Sequence, residues 1–288
     1  MDRRDILRSF GAAGIGAGLA ASGPAFAGSE DKEREEGKMG HLDDLLRDLV
    51  IANRILANEN VVDAYGHVSV RHPEDPKRFF MSRSRAPELV ERHDLIEFDA
   101  GGEPVNDTRK PYLERFIHAA IYEARPDVTS VVHAHAEDTL PFGLIDEPLE
   151  PVIHSGSFIG GRVPVWDIRE KFGDTNMLVT NLAQGRDLAQ CLGDGHVALM
   201  RGHGFASAAA SIIEVVRLSV YLPRNARVQM NALRMGGRPK PLSKGEIAAR
   251  FRGYQPTSAE TWRAWEYWAH RAGCADMIGE PHGHGGKG

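Results

Sequence analysis

Val131-Val132-His133-Ala134-His135 reads as a buried strand, two β-branched residues leading into two histidines two positions apart. Residues i and i+2 of a strand point to one face. His133 and His135 therefore present their imidazoles side by side, an arrangement that can hold one metal ion. Two ordinary surface histidines give the same spacing, so the pair is weighed together with two other stretches. Upstream lies Tyr112-Leu113-Glu114-Arg115-Phe116; downstream lies Met200-Arg201-Gly202-His203-Gly204.

Working outward, residues 112–125 carry Leu113, Phe116, Ile117, Ala120, Ile121 and Ala124 at helical spacing, and Pro126 closes the helix just before the strand. Residues 41–58 also have the helical period. His67 to Arg71 alternates as a strand, residues 72–76 are turn chemistry, and residues 78–81 return. A second hairpin is predicted across residues 99–102. Later come a helix over 182–192, a strand over 196–200, a Gly-His-Gly turn and a long helix over about 209–235, with Pro223 as an expected kink. Trp262, Trp265 and Trp268 form an aromatic face in residues 258–272, for packing on the body or on a neighbouring subunit. No internal repeat is visible.

The ends read differently. Arg3-Arg4-Asp5-Ile6-Leu7 is a twin-arginine pattern, followed by a weakly apolar run over 10–21 and the small-x-small triplet Ala25-Phe26-Ala27. Residues 1–27 are thus expected to be a signal segment, with a periplasmic destination and no membrane association once it is removed; the apolar run is too short to span a bilayer. Export after folding would let a weakly competing metal be chosen in the cytoplasm. Residues 28–40 are charged and aperiodic, the pattern of a solvated linker. Residues 41–275 form the expected domain, and residues 276–288, with His282 and His284, a disordered tail.

An apolar fraction of 42% suffices for a sizeable core, and a net charge of -5 without a basic block argues against nucleic acid as a partner. The two cysteines, Cys191 and Cys274, exclude a disulfide scaffold. Whether they pair is open, although Cys191 sits in a helical pattern with Leu188 and Leu192.

Glu114 nineteen residues before His133, the His133-Ala134-His135 pair, and a histidine in a glycine-flanked turn after a strand together resemble the class II aldolase/adducin superfamily. Gly66-His67-Val68-Ser69-Val70-Arg71 and the run from Ala119 to Asp127 are similar to it as well. The resemblance covers residues 41–233. It implies a three-layer α/β/α fold with a mostly antiparallel central sheet, and a cyclic homotetramer with active sites at subunit interfaces. It also implies one divalent metal, zinc or manganese, on His133, His135 and His203, with Glu114 as the carboxylate acting as acid or base. His196 competes as third ligand by distance along the chain, but lies in or before a strand rather than in the turn. Three neutral imidazoles would leave such an ion its full charge and an open position.

The sequence departs from the family's sugar-phosphate members. Gly66 is followed by His67 where they carry asparagine; their small-residue phosphate loop corresponds to Ser82-Arg83-Ser84-Arg85; their serine pair before the glutamate is Tyr112-Leu113; and their proton-donating tyrosine corresponds to Ser155, directly after His154. An arginine fork suits a carboxylate, and residues 83–90 look more like the family's decarboxylases of hydroxylated aromatic or pyridine carboxylates. The expectation is decarboxylation of a small hydroxylated aromatic acid through a metal-stabilised enolate. Arg85, His67, Ser82 and Ser84 would bind the substrate, and Glu114 or His154 would deliver the proton. Retro-aldol cleavage is the first alternative and a non-catalytic adducin-like association domain the second. Arg85 paired with Glu88, His67 bonded to backbone, Tyr112 starting its helix against the core and His154 as a core imidazole are the structural alternatives.

Overall fold

The computed structural model describes residues 27–279 apart from 257, with side chains from residue 40 onward. Nearly all of the expected signal segment, and the tail from residue 280, lie outside the described residues. The described residues divide into two units between Met39 and Gly40.

Helix α1 spans Ala27–Asn58 and takes in residues 28–40, expected as a linker. The correction has a simple cause: that stretch is rich in Glu, Lys and Arg and lacks proline, so it sustains a helix without offering an apolar face. The tail also starts later than expected. A short 3-10 turn over Ala275–Met277 follows the last helix, and Met277 and Ile278 pack onto the core.

Seven strands form one sheet in the order β3-β2-β1-β4-β7-β6-β5. They are β1 (His67–Arg71), β2 (Arg78–Ser82), β3 (Leu95–Asp99), β4 (Ser130–Ala134), β5 (Val165–Trp166), β6 (Val197–Met200) and β7 (Gly204–Ala209). Every pairing is antiparallel except β5 with β6. The predicted turn after β3 is present, but its return is a single bridge between Phe98 and Pro104 rather than a strand.

Helices cover both faces. On one, α2 (Arg115–Ala124), α3 (Ile168–Phe172) and α4 (Leu182–Leu192) pack against Phe79, Met81, Val131, Ala206 and Ala208. On the other, α1, α5 (Ile212–Arg234) and α7 (Ala259–Arg271) pack against Val68, Val70, Val132 and Phe205. A short helix α6 (Lys244–Phe251) lies between them in the chain. The architecture is the expected α/β/α, three layers with a mostly antiparallel centre. Trp265 and Trp268 are buried in the α5 layer. Both cysteines are free, and each packs against a different core.

Two boundaries differ from expectation. The long helix begins at Ile212, capped by Ser211, because the small residues 204–209 form a strand whose alternation is masked by alanine and serine. The helix is continuous through Pro223. α2 begins at Arg115, with Glu114 at its N-cap position, so Leu113 precedes the helix and is exposed.

α2 is held close by α4. A Cβ on Gly185 would collide with the Phe116 carbonyl oxygen, so the absence of a side chain there lets the two helices approach backbone to backbone.

Candidate metal and substrate site

Register explains how distant residues meet. His67 of β1 sits directly opposite His133 of β4, and Ala206 of β7 lies opposite His133 on the other side. His133 and His67 therefore share the α2 face, while His135 lies one residue past the end of β4. The tight turn between β6 and β7 carries His203 back towards them. A Cβ on Gly204 would collide with the Ala134 carbonyl oxygen, so this glycine allows the turn to close on the strand.

The result is a cluster of Glu114, His133, His135 and His203, in which one ligand atom from each lies within 4.8 Å of the others. His135 Nε2 is 3.0 Å from His133 Nε2. His133 Nδ1–H donates to the Phe205 carbonyl at 3.0 Å, which leaves the lone pair of the neutral ring on Nε2, facing the cluster. Glu114 Oε1 accepts from the Val179 backbone N–H at 3.0 Å. Its Oε2 lies 3.4 Å from His133 Nε2 and 3.5 Å from His203 Nε2. Four basic atoms packed this closely repel one another unless positive charge sits among them. A buried carboxylate alone would cost several kcal/mol. The donor set, three imidazoles and one carboxylate, fits a divalent ion such as zinc or manganese.

Electrostatics point the same way. Burial would raise the Glu114 carboxyl, but the adjoining His133 imidazole, and His203 after it, hold it well below the usual carboxylate range. Burial, then His133 and His203, lowers His135 to about 4, which keeps that ring neutral and able to bind a cation. A cavity of about 580 Å³ lined by Asp63, His135, Glu137 and Arg227 opens beside the cluster.

The expected substrate residues divide. The His67 ring lies 5.2 Å from His133 and 4.7 Å from Tyr112, so it belongs to the site. Arg85 pairs with the buried Asp94 at 3.2 Å rather than with Glu88, and Arg83 Nε binds the other oxygen of Asp94 at 2.6 Å. Ser82 is fully buried and its hydroxyl donates to Tyr112 Oη at 3.3 Å; Tyr112 in turn donates to the Arg85 carbonyl. Tyr112 precedes the helix rather than starting it, packs against the core as expected, and links the arginine loop to His67. Ser84 is exposed and joins the chain through backbone, its amide donating to Lys110 O. His154 does not join the cluster. It begins a 3-10 turn, His154–Ile159, and lines a separate cavity with Arg217, Tyr221 and Arg263. His196 lies elsewhere, beside Gly160.

Sequence reasoning missed His118, Asp94, Arg83 and the Val179 amide. His118 was legible: Glu114, His118 and Tyr122 recur every four residues and so form one stripe of α2.

Residues 47–230 match the family described as Class II Aldolase and Adducin N-terminal domain. The chain belongs to that family. Among curated relatives, the decarboxylase tropJ of Talaromyces stipitatus is 39% identical over 198 residues, 64% of this chain and 74% of the relative. The 3,4-dihydroxyphthalate decarboxylase of Arthrobacter keyseri is 27% identical over 216 residues, 69% and 83% of the two chains. Among solved structures, an aldolase II superfamily protein from Pseudomonas syringae aligns with a TM-score of 0.66 at 23% identity, covering 81% of this chain and 95% of that one. That last likeness confirms the class II aldolase fold.

Proposed function

We propose that this class II aldolase-family protein is a metal-dependent carboxy-lyase that removes carbon dioxide from a hydroxylated aromatic carboxylate. The observation that carries the reading is the convergence of His133, His135, His203 and Glu114 within 4.8 Å, joined through His67 and Tyr112 to an arginine-bearing loop. The relatives named as decarboxylases, one of them for a dihydroxylated aromatic diacid, support the substrate class.

His133, His135 and His203 would hold the ion, which when bound steadies the negative charge that builds on substrate oxygen as the carbon–carbon bond breaks. The chain's own residues do the rest. Arg85, with its Nε–H donated to the Leu89 carbonyl and its guanidinium paired with Asp94, offers its terminal nitrogens to the substrate carboxylate. Ser82 acts at one remove, through Tyr112. His67 and Tyr112 flank a flat ring. Glu114, anchored by the Val179 amide through one oxygen and ionised, can take the proton of a substrate hydroxyl on its other oxygen and return it to the ring carbon from which carbon dioxide departs. His154 enters this reading only as a group lent by a neighbouring copy in a homotetramer. Arg3-Arg4 supports export by the twin-arginine route to the periplasm.

The test is product analysis. Metal-loaded protein is offered a panel of hydroxybenzoates and hydroxyphthalates, and carbon dioxide and aldehydes are measured side by side. Chelator-sensitive release of carbon dioxide is expected; trapped aldehyde without gas would replace the reading with retro-aldol cleavage, and neither product with no bound metal would leave an association domain.

A further inference from the structure

The histidines of the cluster are not held alike. His133 Nδ1 is tied to the Phe205 carbonyl, so the backbone of β7 fixes that ring. His203 Nδ1 is buried and has no hydrogen-bond partner among the described residues. A ligand imidazole ordinarily gives its second N–H to an acceptor that sets its orientation. His203 has none, and it rides on a turn between two glycines, the first of them at φ +63°. Its orientation must come from packing.

The loop between α3 and α4 supplies that packing. A Cβ placed on Gly202 would lie 3.4 Å from Met177 Cε and 3.6 Å from Leu144 Cδ2. Two methyl groups therefore close on the turn immediately before His203. Two residues beyond Met177, the Val179 amide is the group that holds Glu114 Oε1. One short segment thus bears on the His203 turn and anchors the acid, whose Oε2 stands 3.5 Å from His203 Nε2.

The backbone that does this is strained. Met177 has φ +66°, a conformation uncommon for residues with a side chain and most tolerated by Asn and Asp. Thr175 Oγ1 accepts from the Met177 amide at 3.0 Å, and Asn176 Oδ1 accepts from the Leu178 amide at 3.1 Å, which holds the segment in shape. Asparagine stands one residue before the strained position; the residue in it is the one whose side chain reaches Gly202.

We propose that Met177 is a positioning residue for His203. Its thioether, together with Leu144, orients by packing the ring that lacks a hydrogen bond, and residues 175–179 brace that ring and Glu114 at a fixed spacing. The inference rests on the preceding reading of the cluster as a metal site.

Zinc affinity of the full-length protein, read by competition with a chromophoric chelator, tests it beside thermal melting of the chelator-treated protein. Met177→Gly relieves the strained backbone and deletes the thioether. The melting temperature of the metal-free variant is expected to stay within about 3 °C of wild type or to rise. Its zinc binding should weaken about tenfold or more, as when a group that orients a ligand is lost. A merely structural role would move the two readouts together. Met177→Leu, which refills the space, should keep zinc affinity within about threefold of wild type. Leu144→Ala should weaken zinc binding in the same direction and serves if Met177→Gly does not fold. Unchanged zinc affinity in Met177→Gly or Leu144→Ala would overturn the proposal, as would a loss that Met177→Leu shares in full. Those results would leave the metal-dependent reading standing; a wild-type chain that binds neither zinc nor manganese would sink both.

Discussion

The two faces of the central sheet are made by alternate residues of the same strands, yet they are built differently. In β1 and β4, Val68, Val70, Val132 and Ala134 face α1 and α5 and join a large apolar core. Between them, His67, Ser69 and His133 face α2 and meet Glu114, His118 and Tyr122. One face holds the molecule together; the other spends buried volume on polar groups that must all be satisfied. Because the strand period is two, a one-residue slip of β1 against β4 would exchange these faces. The chemistry is thus protected by the packing on the reverse side.

The contrast can be broken from the polar side first. His135→Ala should lose bound metal and activity together, to below detection, as read by metal analysis and carbon dioxide release. Glu114→Gln should keep the metal yet lower turnover by about 10²–10⁴-fold, the usual range for removing a general acid or base; unchanged turnover would take Glu114 out of the chemistry. On the apolar side, Leu49→Ala should cost about 2–5 kcal/mol in thermal or denaturant unfolding while leaving metal content intact. Arg85→Met should raise KM by about tenfold, as expected when one charged hydrogen bond to substrate is removed, and should also lower stability, because the buried Asp94 carboxylate is left to Arg83. The exposed pair of Arg92 with Asp43, outside both faces, sets the floor: Arg92→Gln should shift stability by less than ~1 kcal/mol.

Much of this was legible in the sequence, for identifiable reasons. His133 and His135 announced themselves through strand spacing, His203 through its flanking glycines, and Glu114 through its nineteen-residue distance from His133 in a pattern that resembles the family. The tertiary partners were not legible. Arg85 turns to Asp94 because a 3-10 turn over Arg92–Asp94 brings that carboxylate under the loop, a fold-back that no periodicity reveals. β7 was hidden because alanines and serines carry little alternation signal. The polar stripe of α2 could have been read, but apolar positions dominate a search for a buried helix face.

Glu114, His118 and Tyr122 ride on a single short rod, and that has a mechanical consequence. The acid that faces the histidine cluster and the His118 imidazole bonded to His67 cannot be adjusted independently. Any roll of α2 about its axis moves both, and the close seat of Gly185 on Phe116 resists such a roll. Inserting one residue between positions 114 and 118 would swing one group about 100° away from the other, disarming proton delivery or substrate capture in one edit, while β1 and β4 stayed as they are.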